Sequence, residues 1–145
     1  MHDAEIAIKQ GELILRLYEL RREPVMRLAR SYVGGPFSPH TAEEFVSIMM
    51  AGDQNTSYVL QVYGYWDMVA ALVFHGALDS NLVYNTCPEM YFQFAKIRPF
   101  LQEFRTRSSL PELFQNLQKL VEGSEKGQAR LNSMEEHLTL RPRPV

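Results

Sequence analysis

TSYVLQVYGYWDMVAALVF, residues 56–74, decides the fold. Val59, Val62, Trp66, Val69 and Val73 recur at intervals of 3, 4, 3 and 4, the spacing of one helix face. Leu60, Tyr63, Ala70 and Phe74 make the opposite side apolar too. A helix apolar nearly all round is covered all round, so this segment is expected at the centre of a helical domain. Asp67 is the one formal charge between Gln54 and Leu78. A membrane span wants about 20 predominantly apolar residues, and a central acid costs about 3 kcal/mol on insertion. A buried core helix is therefore the better reading, and no membrane-spanning segment is expected. Gly64 inside this helix costs about 1 kcal/mol against alanine. Close packing by a neighbouring helix is its expected compensation.

Outward from this segment, helix punctuation dominates and strand signals are nearly missing. The stretch 1–22 reads as an N-terminal amphipathic helix with Ile6, Leu13, Leu17 and Leu20 on a narrow seam that Gln10 interrupts. Pro24 breaks it, because proline lacks an N–H and clashes with the preceding turn. Val25, Leu28, Ala29 and Tyr32 continue a second stripe up to Gly34-Gly35-Pro36. Thr41 with Glu44, Thr86 with Glu89 and Ser109 with Glu112 have the spacing of capping boxes. Asp79 reads as a helix start and Gly76 as a helix end. Pro99 falls inside an apolar 4-3-4-3 run from Met90 to Phe104 and is expected to kink it. Residues 141–145 read as a flexible tail. The fold class is all-α: a single domain over 1–145, with six or seven helices around the central one.

Composition narrows the function. The chain has 145 residues, 46% apolar and 22% charged, with a net charge of −2. That supports a packed core and lacks the basic footprint of nucleic-acid binding. One cysteine excludes an internal disulfide and a Cys-based zinc site. The opening MHDAEIAIKQGE shows no basic-then-apolar leader, so a cytoplasmic location is expected. Residues 36–95 hold six acids and no Lys or Arg. That is either a buried hairpin or an acidic partner surface.

The central segment also resembles a known family. Tyr65-Trp66-Asp67, Ala70, His75-Gly76-Ala77-Leu78-Asp79, Leu82-Val83-Tyr84 and Arg98-Pro99-Phe100 follow one another in order. They are similar to a widespread bacterial family of small all-helical domains of unknown function, over about Val59 to Gly123. Many of its members carry a membrane-spanning helix before the domain; this chain has an amphipathic segment there. The resemblance implies the helical fold and no activity.

No nucleophile elbow, phosphate loop, dinucleotide fingerprint or zinc-protease helix is present. Glu136 and His137 diverge by about 100° on a helix and cannot chelate together. No cofactor, metal site or catalytic residue is identified. Arg21, Arg22, Arg27 and Arg30 read as a solvated face paired with Glu19 and Glu23. Asp67 needs a partner, since a stranded buried charge costs several kcal/mol. Arg98 is the expected one, as a polar anchor between two helices, with a tyrosine hydroxyl or a helix N–H as the other choices. Tyr63, Trp66 and Tyr91 are candidates to line a pocket. Ile6, Gln10, Leu13, Leu17 and Leu20 are candidates for self-association, with Gln10 setting register. The leading reading is a non-enzymatic assembly or interaction module, its partner a second copy (a homodimer) or another protein. The alternatives are a bundle binding a small ligand in a Tyr/Phe/Trp pocket, and an enzyme whose site is not visible in sequence.

Overall fold

The computed structural model describes residues 2–140, and no strand occurs among them. The tail 141–145 lies outside the described residues. Eight helices follow one another: α1 (His2–Arg21), α2 (Pro24–Gly34), α3 (Ala42–Met50), α4 (Gln54–Phe74), α5 (Ser80–Thr86), α6 (Pro88–Ser108), α7 (Gln115–Glu122) and α8 (Glu125–Thr139). The count exceeds the six or seven expected, with α8 starting at Ser124 directly after α7. Its hydroxyl caps the Gly127 N–H at 3.0 Å.

Several boundaries follow from local chemistry. Pro24 ends α1 and opens α2, whose first N–H groups donate to the Glu23 carboxylate. Thr41 caps α3 through the Glu44 N–H at 3.1 Å. Glu44 reaches back one residue further than a capping box does, to the His40 N–H. Asp53 accepts from the Thr56 N–H at 3.0 Å and starts α4 at Gln54. Asp79 caps α5 through the Leu82 N–H at 3.1 Å. Beyond the end of α4, Gly76 takes φ +85°, a turn that favours glycine.

The other two expected capping boxes do not form. Thr86 donates to the Leu82 carbonyl, and Glu89 turns inward to arginines. Ser109 ends α6 in a left-handed conformation, φ 57°, and α7 waits until Gln115. Between them Phe114 is also left-handed, φ 55°, which costs about 1 kcal/mol. Its ring is buried 5.7 Å from that of Tyr63. Tertiary burial overrides the local cap in both places.

The buried residues form one cluster to which α4 and α6 contribute most. Helix α4 packs against α2, α3, α6 and α7, while α6 packs against α3, α4 and α8. The expected single central helix therefore shares its role with α6. Gly64 is exposed with nothing close to it, so the expected close approach is not there. The close approach occurs at Gly127, where a Cβ would lie 2.3 Å from the Val121 carbonyl oxygen. Among the described residues, no helix is long and apolar enough to cross a membrane.

Candidate functional site

The first candidate site is a polar chain inside the α1–α2–α4–α6 junction. Arg30 on α2 holds the Glu89 carboxylate with both Nε (3.1 Å) and a terminal nitrogen (2.8 Å). Such a two-bond fork suits guanidinium and carboxylate geometry. Arg21 at the end of α1 lies 3.8 Å from the same carboxylate and packs over the Trp66 ring. Gln93, fully buried, donates to Glu89 at 3.0 Å and accepts from the Trp66 indole N–H. Tyr63 donates to the Gln93 backbone carbonyl at 2.6 Å. Nearby, Tyr65 donates to the Leu17 carbonyl at 2.6 Å, and burial pushes its hydroxyl pKa up to about 12. Arg21 and Arg30 are thus not the solvated face expected from sequence. They fasten α1 and α2 to α6 through one acid. Buried Lys96 does a related task, donating to the Val33 and Phe37 carbonyls at the end of α2.

Asp67 and Arg98 are not brought together. Asp67 accepts from the Leu117 backbone N–H at 2.9 Å and from the Asn116 side chain at 3.4 Å. A carboxylate at the start of α7 meets free N–H groups and the positive end of the helix dipole. Arg98 instead pairs with Glu122 at 3.0 Å and Glu135 at 3.3 Å, tying α6 to α7 and α8. Each residue anchors two elements, but the anchors are separate.

The pocket candidates also divide. Tyr63 and Trp66 are core residues with their polar tips satisfied by Gln93, apart from the cleft that takes Tyr91. Tyr91 does line a cleft, on the side of α6 facing α5 and α8.

The acids of residues 36–95 all have partners. Asp53 and Asp79 cap helices, Asp67 sits on α7, and Glu89 holds two arginines. Glu44 accepts from His40, and Glu43 pairs with Arg107. Within this run the acids serve helix capping and pairing to cations elsewhere, and Glu43, Asp53 and Asp79 remain exposed while doing so. Among the described residues, no three His, Cys, Asp or Glu side chains are grouped to hold a metal ion.

Helix α1 carries the second candidate site. Leu17 is only 5% exposed and Leu13 is half-buried, but Ile6 and Leu20 of the same expected seam are exposed. Gln10 is not free to set register between copies, because it accepts from the Asp79 N–H at 2.9 Å. That seam is largely how α1 rests on its own domain. A second row, Ala4, Ile8, Gly11, Leu15 and Tyr18, runs at intervals of 4, 3, 4 and 3 along another side. Ile8 is 61%, Leu15 65% and Tyr18 49% exposed. Exposed Glu5, Glu12 and Glu19 run beside this row at intervals of 7. Sequence reading missed it because Ala4 and Gly11 weaken its apolar signal, although its spacing was there to be found.

A family model described as a domain of unknown function (DUF4760) matches residues 6–124. It reaches well before the expected Val59, taking in most of α1 and all of α2 and α3. No curated protein and no solved structure matches the chain.

Proposed function

We propose, for a chain that belongs to the DUF4760 family of domains of unknown function, a non-enzymatic role in assembly through the outer row of α1. The observation that carries this reading is the exposed heptad row Ala4–Ile8–Gly11–Leu15–Tyr18. Apolar residues at 3- and 4-residue intervals over this length make a coiled-coil seam, and such a seam in water gains by pairing. Ala4 and Gly11 are small and let a partner helix come close.

The partner favoured is a second copy related by a two-fold axis. Charge sets the direction. In an antiparallel pair, the flank bearing Glu5, Glu12 and Glu19 would face its own copy, acid against acid. A parallel pair places that flank beside Ala7 and Ile14 instead. The parallel arrangement also leaves each domain body on the Leu17 side of its own helix, away from the seam.

Cysteine cross-linking tests this. In a parallel pair Ala4 meets Ala4 of the other copy, at a separation suited to a disulfide. Ala4→Cys should give a disulfide-linked dimer under mild oxidation, while Lys9→Cys, off the row, should not. Buried Cys87 offers no competing thiol. A link that forms as readily at Lys9→Cys, or at neither position, overturns the reading.

A further inference from the structure

A cleft of about 360 Å³ opens between the end of α4, α5 and the turn from α7 to α8. It uses no residue of α1 and is independent of the assembly reading. Phe74, Tyr84 and Tyr91 supply its apolar wall, and Lys119, Lys126 and Ser124 its polar rim. No acidic residue lines it.

Two features set this cleft apart from an ordinary surface groove. The first is its cations. The Lys119 ammonium sits 4.6 Å over the Phe74 ring and the Lys126 ammonium 5.2 Å over the Tyr84 ring. Among the described residues neither lysine has a carboxylate within 4 Å. The second is Tyr91. Its ring is buried, while its hydroxyl is not among the enclosed atoms left without a partner and so stays accessible at the cleft it lines. Burial holds the Tyr91 hydroxyl above its ordinary pKa, so it stays a donor. Arg130 fixes the wall, stacking 3.6 Å over the Tyr84 ring while donating to the Tyr84 carbonyl at 2.7 Å. Helix α8 also starts at this rim, its positive end adding to the lysines.

We infer that this cleft binds a small aromatic anion. Lys119 and Lys126 take its carboxylate or phosphate, Phe74 and Tyr84 pack its ring, and Tyr91 donates a hydrogen bond to it. The volume lies at the small end of ligand sites, which fits one ring with one anionic group. The ring and the charge are both needed. The lysines alone would take any anion, and the aromatic wall alone would take any apolar molecule.

Amide-resolved NMR titration of the full chain tests this with four probes: phenyl phosphate, benzoate, inorganic phosphate and phenol. Phenyl phosphate or benzoate should give saturable shifts confined to residues 73–91 and 119–130, and the better of the two tells phosphate from carboxylate. That probe should bind about tenfold more tightly than inorganic phosphate or phenol. Lys119→Gln with Lys126→Gln should weaken it about tenfold or more, Tyr91→Phe should weaken it by a smaller factor, and Lys9→Gln should leave it unchanged. Lys119 and Lys126 are exposed, so these variants keep the fold, which their own spectra check. Shifts that do not saturate or that scatter over the surface overturn the inference. So does phosphate or phenol binding as well as the aromatic anions, or a double lysine variant that binds like the wild type.

Discussion

Helices α1 and α4 have nearly the same length, 20 and 21 residues, and the fold uses them in opposite ways. Helix α4 buries Val59, Val62, Tyr63, Trp66, Val69 and Ala70 among its neighbours. Helix α1 buries Leu17 and Arg21 and leaves Ile8, Leu15 and Tyr18 in the open. The difference teaches that apolar content alone does not measure what a helix contributes to its own fold. In α4 one side meets its neighbours, and the cover expected all round is incomplete, because Leu60, Met68 and Phe74 stay exposed. In α1 one side meets the domain through Leu17, Gln10 and Arg21, and on another Ile8 and Leu15 stay open while Tyr18 lies beside Arg21 and Arg22.

The largest effects should separate the two helices by stability. Trp66→Ala should cost about 3–5 kcal/mol in urea unfolding, combining lost burial with a cavity. Leu15→Ala, measured on the monomer, should change stability by less than about 0.5 kcal/mol. Comparable losses at the two positions would erase the contrast. Next in size are the anchors of α4 and α6. Asp67→Ala should cost about 1 kcal/mol, as loss of a capping carboxylate does. Combined with Arg98→Met, the two losses should add to within about 0.5 kcal/mol, because the residues share no partner. A larger coupling would mean that the two anchors act as one.

At neutral pH the smallest effect concerns the joint between α1 and α4, which shows itself only in alkaline solution. Tyr65, bonded to the Leu17 carbonyl, has its pKa pushed up to about 12 by burial, with Arg21 partly opposing the shift. In the unfolded chain a tyrosine loses its proton near pH 10. The folded state therefore holds a proton that the unfolded state gives up between about pH 10 and 12, and stability falls as pH rises through that window. Tyr65→Phe should flatten this fall in pH-dependent urea unfolding. An unchanged slope would detach Tyr65 from the alkaline response.

Much of the fold was legible in the sequence because its signals are local. Pro24, Asp79 and the 3-4 spacing of residues 59–73 carry their structural meaning in the chain itself. The helical class and the membership of a family without assigned function followed from such signals. The candidate sites were less legible, for a physical reason. The partner of Asp67 is a backbone N–H, and every residue but proline has one, so no residue type marks it. Glu89 stood three residues from Thr86 and matched a local cap, but two distant arginines compete better for it. Gln93 and Lys96 look like surface residues in sequence and are buried, because the Trp66 indole and the end of α2 need partners. The outer row of α1 was hidden differently. Two apolar stripes share one helix, and only the folded domain shows which of them it uses.

Sedimentation velocity on the wild type beside Ile8→Asp with Leu15→Asp measures the outer row of α1 most directly. The wild type should sediment as a dimer, and the double variant as a monomer with unchanged helical circular dichroism. A wild type that stays monomeric at its highest soluble concentration, or a double variant that keeps the dimer, contradicts assembly through this row.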